Sequence, residues 1–378
     1  MEKSQYILKG MRNIGKVALV HDFLLYRGGA ERVLRTLADM FPEAPIYTLL
    51  YDREGMQGMF ADREVRTSFL GAWPKFLQRR HRWLLPFYSA ATEAIDVRDF
   101  DVVISSSGAW VKGIVTRLRT KHVAYIHSPM RFVWDENERY LRESGGFHFC
   151  KRMMLSHLRL WDFEAAARPD LLVANSRYTQ ARIEKYYRRP SDVVSPPVRR
   201  LTSTEPAALD MRDRPFVTVS RLSKYKHTEA IVRAFAELLL PLVVVGMGRE
   251  SARLQRIAPP NVRFLGDISD DELGTVLGKA RAFVFAGEED FGLALAEAQM
   301  AGLPAIALAS GGAREIVEEN VSGVFFADPD AQSVIEAVQK YIKRESSFDT
   351  NEIRKNAERF SEFHFQECMA DVIRKVVG

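Results

Sequence analysis

The sequence has only two cysteines in 378 residues, Cys150 and Cys368. Two thiols so far apart in the chain argue against a disulfide framework and against a cysteine-rich metal site. We therefore expect both to be small buried side chains.

Long apolar runs are also missing. The longest, Leu238 to Gly246, is interrupted by Pro241 and has less than half of the roughly 20 residues that a membrane-spanning helix needs. It predicts a buried strand. The N-terminus, MEKSQYILKGMRN, lacks the apolar core of a secretory signal, so we expect a cytoplasmic protein.

Acidic residues are scarce in the first half of the chain. Residues 1 to 200 hold 33 Lys and Arg against 22 Asp and Glu, whereas residues 201 to 378 hold 21 against 27. A basic half is typical of a surface that meets an anionic partner, which leaves membrane, nucleic acid and phosphate open at this point.

The length predicts two domains of about 180 residues each, and both halves alternate short β-rich runs with helical patterns. The pattern restarts after Pro196-Pro197, which predicts domains at residues 1–200 and 201–360. A final helix at 361–378 packs either on the second domain or back on the first. The predicted strands are Val17–His21, Ile46–Leu50, Val102–Ser105, Val123–Ile126, Leu171–Asn175, Phe216–Ser220, Leu242–Gly246, Val262–Leu265, Ala282–Ala286, Ala305–Ala309 and Gly323–Phe326.

This alternation indicates an α/β fold with two doubly wound, Rossmann-like parallel sheets. We expect the two domains to face each other across a cleft. In such sheets, ligands bind beyond the carboxyl ends of the strands.

The segment EEDFGLALAE, residues 288 to 297, follows a predicted strand and begins a helix. Backbone N–H groups at a helix N-terminus favour an anion such as a diphosphate. A simpler interpretation is that the acids at 288–290 cap the helix and that Glu297 is a solvated helical residue.

Two cations, Arg221 and Lys226, follow the first strand of the second half and therefore favour the diphosphate interpretation. They lie at the predicted binding edge, where charge-assisted hydrogen bonds to phosphate contribute about 1.5–3 kcal/mol each. Together with the helix amides and a carboxylate that can bind a diol, they describe a sugar-nucleotide site.

The second half resembles the donor domain of the GT-B glycosyltransferases, specifically the retaining enzymes of family 4. The similarity lies in RLSKYK from Arg221, VVVGMG from Val243, FLGD from Phe264, and the two glutamates separated by seven residues in EDFGLALAE. It extends over most of residues 215–326.

The resemblance implies a role for each matching residue. Glu289 would contact the transferred sugar and Glu297 the ribose hydroxyls, while Arg221 and Lys226 would neutralise the diphosphate. The further donor-binding residues that it implies are Gly246 and Gly248 beside the nucleotide, Asp267 and Ile268 near the base, and Phe291, Gly292 and Leu293 at the phosphates.

The first half is similar to the family 4 subset that builds bacterial surface polysaccharides, often with mannose. The similarity rests on VHDFL, on GGAER with Gly28 and Gly29, and on FPEAPIYTLLYD. The two glycines would let the backbone approach a donor group closely. The resemblance also places His127, just past a strand, against the transferred sugar, although a single histidine is as often structural. Weaker candidates for acceptor contacts are Arg131, Trp134 and Asp135.

The segment from Trp73 to Tyr88 mixes four Lys and Arg with five aromatic residues and contains no acid. This composition suits a membrane interface, and the alternative is a core helix with a basic outer face. The candidate membrane contacts are Trp73, Lys75, Arg79, Arg80, Arg82 and Trp83.

We therefore predict a retaining, metal-independent hexosyltransferase that needs no cofactor and that contacts the inner face of the cytoplasmic membrane peripherally. Mannose from GDP-mannose is the expected donor, and a lipid-linked saccharide is the expected acceptor, as in O-antigen or exopolysaccharide synthesis.

The alternatives are a UDP-sugar donor, an NAD(P)-dependent oxidoreductase suggested by VVVGMGRES, and a nucleic-acid-binding protein. The oxidoreductase motif lacks its third glycine and lies on the second strand of its domain, and no nucleic-acid motif accompanies the basic charge, so we expect neither.

Overall fold

The chain divides into two compact units. The computed structural model describes residues 14–143, 148–201 and 213–378. Unit 1 ends at Pro197 and also takes in Phe363–Gly378, whereas unit 2 spans Val198–Glu362. The predicted division at residue 200 lies three residues beyond the end of this first stretch of unit 1.

Unit 1 contains a parallel sheet of seven strands within the described residues, in the order β3-β2-β1-β4-β5-β6-β7. Its two edge strands, β3 and β7, are three and two residues long and were not predicted, because so short a run carries no periodicity. The strands are β1 Val17–Leu24, β2 Ile46–Tyr51, β3 Val65–Thr67, β4 Val102–Ser107, β5 Lys121–Ile126, β6 Leu171–Ala174 and β7 Asp192–Val193.

Helices cover both faces of this sheet. Alternate residues of β1 point to opposite faces, so Leu19 packs in one core and Val20 in the other. The helices described before residue 200 are α1 Gly29–Met40, α2 Lys75–Arg79, α3 Tyr88–Glu93, α4 Asn137–Glu143, α5 His148–Ala167 and α6 Arg177–Tyr187, with 3-10 turns at Phe69–Ala72, His81–Phe87 and Val111–Gly113.

Among its described residues, unit 2 contains a six-stranded parallel sheet in the order β10-β9-β8-β11-β12-β13, and all six strands were predicted. The strands are β8 Phe216–Val219, β9 Leu242–Val245, β10 Val262–Gly266, β11 Phe283–Phe285, β12 Ala305–Leu308 and β13 Gly323–Phe326. The helices are α7 Thr228–Leu238, α8 Ser251–Ile257, α9 Asp270–Lys279, α10 Leu293–Met300, α11 Ala313–Ile316, α12 Ala331–Arg344 and α13 Thr350–Ala357, with 3-10 turns at Lys224–Lys226, Glu345–Ser347 and Glu358–Phe360.

The last helix, α14 Glu362–Val377, packs on unit 1. Its buried side chains include Phe365 and Ile373, which join the core formed by α1 and one face of the first sheet. The rings of Phe365 and Tyr125 lie 5.8 Å apart, edge to face. The chain therefore returns to its first unit after completing the second.

Two expectations from the sequence are wrong. Cys150 is exposed and Cys368 is half-buried, so neither is a fully buried side chain. The apolar run from Leu238 is not one strand, because Leu238 ends α7 and Leu239 adopts a left-handed conformation with φ of 55°, which turns the chain before β9 begins. In the described residues, no helix is both long enough and apolar enough to cross a membrane.

Candidate functional site

Lys226 and Glu289 come together at the carboxyl edge of the sheet of unit 2. Lys226 ends the turn that follows β8, and Glu289 lies in the loop between β11 and α10. Their side chains form an ion pair and are 11% and 25% exposed. The predicted diphosphate-neutralising cation therefore contacts the predicted sugar-binding carboxylate.

Gly292 forms the N-terminus of α10, directly after this loop. Its φ of +106° is accessible to glycine and strained for other residues. Having no side chain, Gly292 cannot itself cap the helix, whose first backbone amides belong to Leu293 and Ala294. Phe291, before it, is buried against Phe360. A helix N-terminus thus lies next to the ion pair of Lys226 and Glu289, with positive potential from its dipole.

Gly311 and Gly312, which were not predicted as site residues, pack against the backbone of the loop that holds Glu289. A Cβ atom on Gly311 would lie 2.3 Å from the carbonyl oxygen of Glu289, and one on Gly312 would lie 2.1 Å from that of Phe291. The Gly312 amide also donates to the Glu289 carbonyl at 2.9 Å. The sequence does contain a signal for this contact, because Ser310-Gly311-Gly312 directly follows a predicted strand and two adjacent glycines allow close backbone approach.

Gly246 and Gly248 let the loop after β9 approach the loop after β8. Added Cβ atoms would lie 2.1 Å from the carbonyl oxygens of Ser220 and Leu222, respectively. The Gly248 amide donates to Ser251 Oγ at 2.8 Å, so this amide is already used within the loop. A dinucleotide-binding turn presents such amides to a pyrophosphate, so this bond counts against the oxidoreductase alternative.

Glu297 is buried, at 4% exposure, on α10. Its Oε1 lies 3.6 Å from Nη2 of Arg199, which forms a bidentate pair with Asp270 at 2.6 and 2.9 Å. The Asp270 carboxylate is the main cause of the raised pKa of Arg199. The alternative that Glu297 is a solvated helical residue is therefore wrong, and Arg199 and Asp270 are neighbours that the sequence pattern did not indicate.

The remaining predicted donor residues lie at the same edge of the sheet. Arg221 is exposed two residues after the end of β8. Asp267, directly after β10, is also exposed, whereas Ile268 packs partly against the core beneath α10. Their roles stay predictions.

In unit 1, His127 follows β5 and is half-buried. Its Nε2 lies 2.7 Å from Oγ of Ser106, and Ser106 Oγ lies 3.1 Å from Nδ1 of His21. Burial, with a smaller effect from His21, lowers the pKa of His127 to about 3, which keeps the ring neutral at physiological pH. Gly28 caps the start of α1, Gly29 is its first residue, and a Cβ atom on Gly28 would lie 2.7 Å from Oε2 of Glu31.

The weaker acceptor candidates are held by contacts within unit 1. Trp134 donates from Nε1 to Asp162 at 2.8 Å and stacks on Tyr186 at 4.8 Å, and Asp135 pairs with Arg182. Arg131 lies 3.5 Å from Glu136. Their contacts to an acceptor stay predictions.

The basic and aromatic segment 73–88 exposes part of its apolar surface. Phe76, Trp83 and Phe87 are 65%, 63% and 43% exposed, whereas Leu84 and Tyr88 are buried. Trp73 is half-buried beside Phe87, and Lys75 and Arg80 are exposed, with Arg80 over the Trp83 ring at 4.6 Å. The side chains of Arg79 and Arg82 lie outside the part of the chain that the structure describes. The alternative of a core helix with a basic outer face does not account for these three exposed aromatic rings.

Two family models match the chain. Residues 27–199 match "Glycosyltransferase Family 4", and residues 201–360 match "Glycosyl transferases group 1".

Two curated proteins are similar over part of their length. A GDP-mannose-dependent alpha-mannosyltransferase of Corynebacterium glutamicum is 32% identical over 129 residues, which are 34% of this chain and 31% of that protein. O-antigen chain mannosyltransferase C of Escherichia coli is 29% identical over 168 residues, which are 42% of this chain and 45% of that protein. The matches therefore span about a third of the length of the C. glutamicum protein and less than half of the length of the E. coli protein.

Among solved structures, Anabaena HepE in complex with UDP superposes with a TM-score of 0.69. The match covers 95% of this chain and all of that one, at 17% identity. Two parallel-sheet α/β domains in one chain, matched over 95% of its length, indicate the GT-B fold.

Proposed function

The chain belongs to glycosyltransferase family 4, and on that premise we propose that it transfers mannose from GDP-mannose to a lipid-linked saccharide, with retention of configuration. The observation that carries this proposal is the ion pair of Lys226 and Glu289 beside the N-terminus of α10. A cation, a carboxylate and helix amides in one place suit a sugar diphosphate, whose hydroxyl groups and phosphates need those partners.

Leaving-group stabilisation is the main catalytic effect in this proposal. As the bond between the anomeric carbon and the diphosphate oxygen breaks, negative charge develops on the diphosphate. Lys226, Arg221 and the first amides of α10 supply fixed positive charge and dipoles there. The acceptor hydroxyl bonds to the anomeric carbon on the same face, and its proton passes to a phosphate oxygen of the donor.

Glu289 and Glu297 orient the donor in this scheme. Glu289 accepts hydrogen bonds from hydroxyls of the transferred sugar, and Glu297 from the ribose. The burial of Glu297 supports a fixed role, because a carboxylate at 4% exposure needs a partner, and Arg199 at 3.6 Å provides one. The resemblance assigns His127 of unit 1 to the transferred sugar, and that role stays a prediction.

The acceptor binds to unit 1. A cavity of about 570 Å³ lies at the carboxyl ends of β1 and β2 and is lined by Tyr26, Tyr51, Asp52 and Lys75, among others. Aromatic faces and carboxylates are suited to saccharides. Because Lys75 also begins α2 in the exposed aromatic segment, a saccharide here would have its lipid anchor near the membrane surface.

Mannose as the transferred sugar is supported by the relatives named above. The C. glutamicum protein is described as GDP-mannose-dependent, and the E. coli protein as an O-antigen chain mannosyltransferase. The Anabaena structure contains UDP, so a UDP-sugar donor is the competing possibility.

A donor screen tests the function. The purified protein is incubated with a membrane extract of lipid-linked saccharides and with GDP-mannose, UDP-glucose, UDP-galactose or UDP-N-acetylglucosamine, and products are identified by mass spectrometry. We expect one hexose to be added from GDP-mannose, and GDP-mannose alone among these donors to raise the melting temperature. Transfer from a UDP-sugar with none from GDP-mannose would contradict the donor assignment.

A further inference from the structure

Four polar side chains of unit 1 form a continuous line that ends at His127. Glu31 Oε1 lies 3.6 Å from His21 Nε2, within ion-pair range. His21 Nδ1 lies 3.1 Å from Ser106 Oγ, which lies 2.7 Å from His127 Nε2. Among the described residues, Ser106 is the hydrogen-bond partner of the His127 ring.

Each member of the line comes from a different element, and three of the four are buried. Glu31 lies in the first turn of α1, His21 in β1, and Ser106 in β4, with exposures of 8%, 2% and 0%. Gly28 provides the room for Glu31, since a Cβ atom there would lie 2.7 Å from its carboxylate. The neighbouring Asp22 fixes the end of β4 by accepting four backbone N–H bonds from residues 108–111 at 2.7–2.8 Å.

The carboxylate sets the direction of the hydrogen bonds along this line. At 3.6 Å the negative charge of the Glu31 carboxylate favours the proton of His21 on Nε2, which leaves Nδ1 as an acceptor. The Ser106 hydroxyl then donates to His21 Nδ1, and its oxygen accepts from His127 Nε2. His127 is left with a proton on Nε2 and a lone pair on Nδ1.

We propose that Glu31, His21 and Ser106 are positioning residues that fix His127 as the Nε2–H tautomer, so that Nδ1 accepts a hydrogen bond from a hydroxyl of a saccharide substrate. The sugar contact rests on the proposed function, whereas the tautomer follows from the geometry of unit 1. A neutral imidazole is required, and the low pKa of His127 provides it. The motif VHDF therefore contributes His21, and GGAER contributes Glu31, to the residues that orient His127.

The tautomer can be measured directly by NMR on protein labelled with 15N at histidine. The His127 signals are assigned by their loss in His127→Gln. We expect a protonated Nε2 and an unprotonated Nδ1 in the wild-type protein without any ligand. Glu31→Gln removes the negative charge, and its amide can accept from or donate to His21 Nε2, so we expect both tautomers of His127 to be populated.

Ser106→Ala and Ser105→Ala form a matched pair. Ser106→Ala breaks the line, so we expect both tautomers of His127 to be populated. Ser105 is the adjacent residue of β4 and makes the equivalent bond to another histidine, His122, at 2.8 Å. Ser105→Ala should leave the His127 signals unchanged.

Kinetics provide the second measurement. We expect Glu31→Gln and Ser106→Ala to lower kcat by about 10- to 100-fold, the range for loss of groups that orient metal-bound histidines. Their GDP dissociation constants should stay within about twofold of the wild type, because GDP binds to unit 2 in the proposed function. Glu31→Asp, which keeps the carboxylate, should recover part of the activity.

The two claims fail in different ways. An Nδ1–H tautomer of His127 in the wild type, or an unchanged single tautomer in Ser106→Ala, would overturn the positioning role whatever the donor is. The absence of mannose transfer by the wild type would overturn the proposed function and leave the tautomer result in place.

Discussion

At the residue scale, Lys226 is the side chain on which the proposed chemistry depends most. It is nearly buried and pairs with Glu289 at the start of α10, whereas Lys224, two residues earlier in the same turn, is exposed. A fixed, desolvated cation stabilises developing charge better than a solvated one, because it needs little reorganisation.

We therefore predict that Lys226→Ala lowers kcat by about 10²- to 10³-fold, the range for loss of one group that stabilises transition-state charge. Lys224→Ala is the matched control and should retain activity. Steady-state rates with GDP-mannose, together with circular dichroism to check folding, measure the difference. Near-wild-type turnover of a folded Lys226→Ala protein would remove Lys226 from the mechanism.

His122 is a second residue with a measurable consequence, this time for stability. It is fully buried in β5, and burial lowers its pKa to about 3. In the unfolded chain its pKa is near 6.5. As the pH falls from about 6.5 towards 3, the unfolded state takes up a proton that the folded state does not, so the free energy of unfolding decreases.

All five tryptophans lie between residues 73 and 161, so tryptophan fluorescence follows the unfolding of unit 1. We predict that the urea concentration at the unfolding midpoint of unit 1 decreases as the pH is lowered from about 6.5 towards 3. In His122→Asn the midpoint should depend less steeply on pH. An equally steep fall in His122→Asn would show that other groups govern the acid sensitivity.

The sequence predicted individual site residues only where a motif marked them. Glu289, Lys226 and Gly292 lie in recognisable patterns and are close together in the structure. Arg199 and Asp270 are 71 residues apart in the chain, and no local sequence pattern predicts that they form an ion pair beside Glu297. Such contacts depend on tertiary packing, which periodicity does not encode.

At the element scale, α14 ties the end of the chain to unit 1. Its Phe365 is 1% exposed in the core of that unit, whereas Phe363 on the same helix is 37% exposed. The helix was predicted at nearly its observed bounds, but its partner was not. An amphipathic pattern shows that one face is buried and does not show against what.

We predict that Phe365→Ala destabilises unit 1 by about 3–5 kcal/mol, the usual cost of removing a buried phenylalanine. Phe363→Ala should cost clearly less than Phe365→Ala, because 37% of the Phe363 side chain is already exposed. Urea denaturation followed by tryptophan fluorescence gives both values. Equal effects of the two substitutions would contradict the packing of α14 on unit 1.

Strand prediction succeeded where strands were central and apolar. In the part of the chain that the structure describes, all six strands of unit 2 and five of the seven in unit 1 were predicted, because each is a short buried run between turn signals. The apolar stretch from Leu238 was misread as one strand because a helix end and a strand follow each other with only three residues between them.

At the scale of the whole molecule, the excess of positive charge in residues 1–200 accompanies the exposed aromatic side chains Phe76, Trp83 and Phe87. Amphipathic aromatic rings and cations together favour an anionic membrane surface, where each cation contributes about 1 kcal/mol. This surface also carries Lys75 of the proposed acceptor cavity.

We predict that replacing Arg79, Arg80 and Arg82 by Glu weakens sedimentation with liposomes of phosphatidylglycerol and phosphatidylcholine. The double variant Phe76→Ser, Trp83→Ser should also weaken sedimentation, although it leaves the net charge unchanged. Replacing the exposed Arg256, Lys343 and Lys355 of unit 2 by Glu is the matched control and should have little effect. Equal sedimentation of all these variants and the wild type would argue against membrane contact by this segment.

The central claim is that a nucleoside diphosphate binds where Lys226 meets the N-terminus of α10. A crystal structure of the protein with GDP tests it most directly. We predict that the phosphate groups lie within hydrogen-bond distance of Lys226 Nζ and of the first backbone amides of α10, with the ribose near Glu297. A GDP molecule whose phosphates are bound elsewhere, with Lys226 still paired only to Glu289, would contradict it.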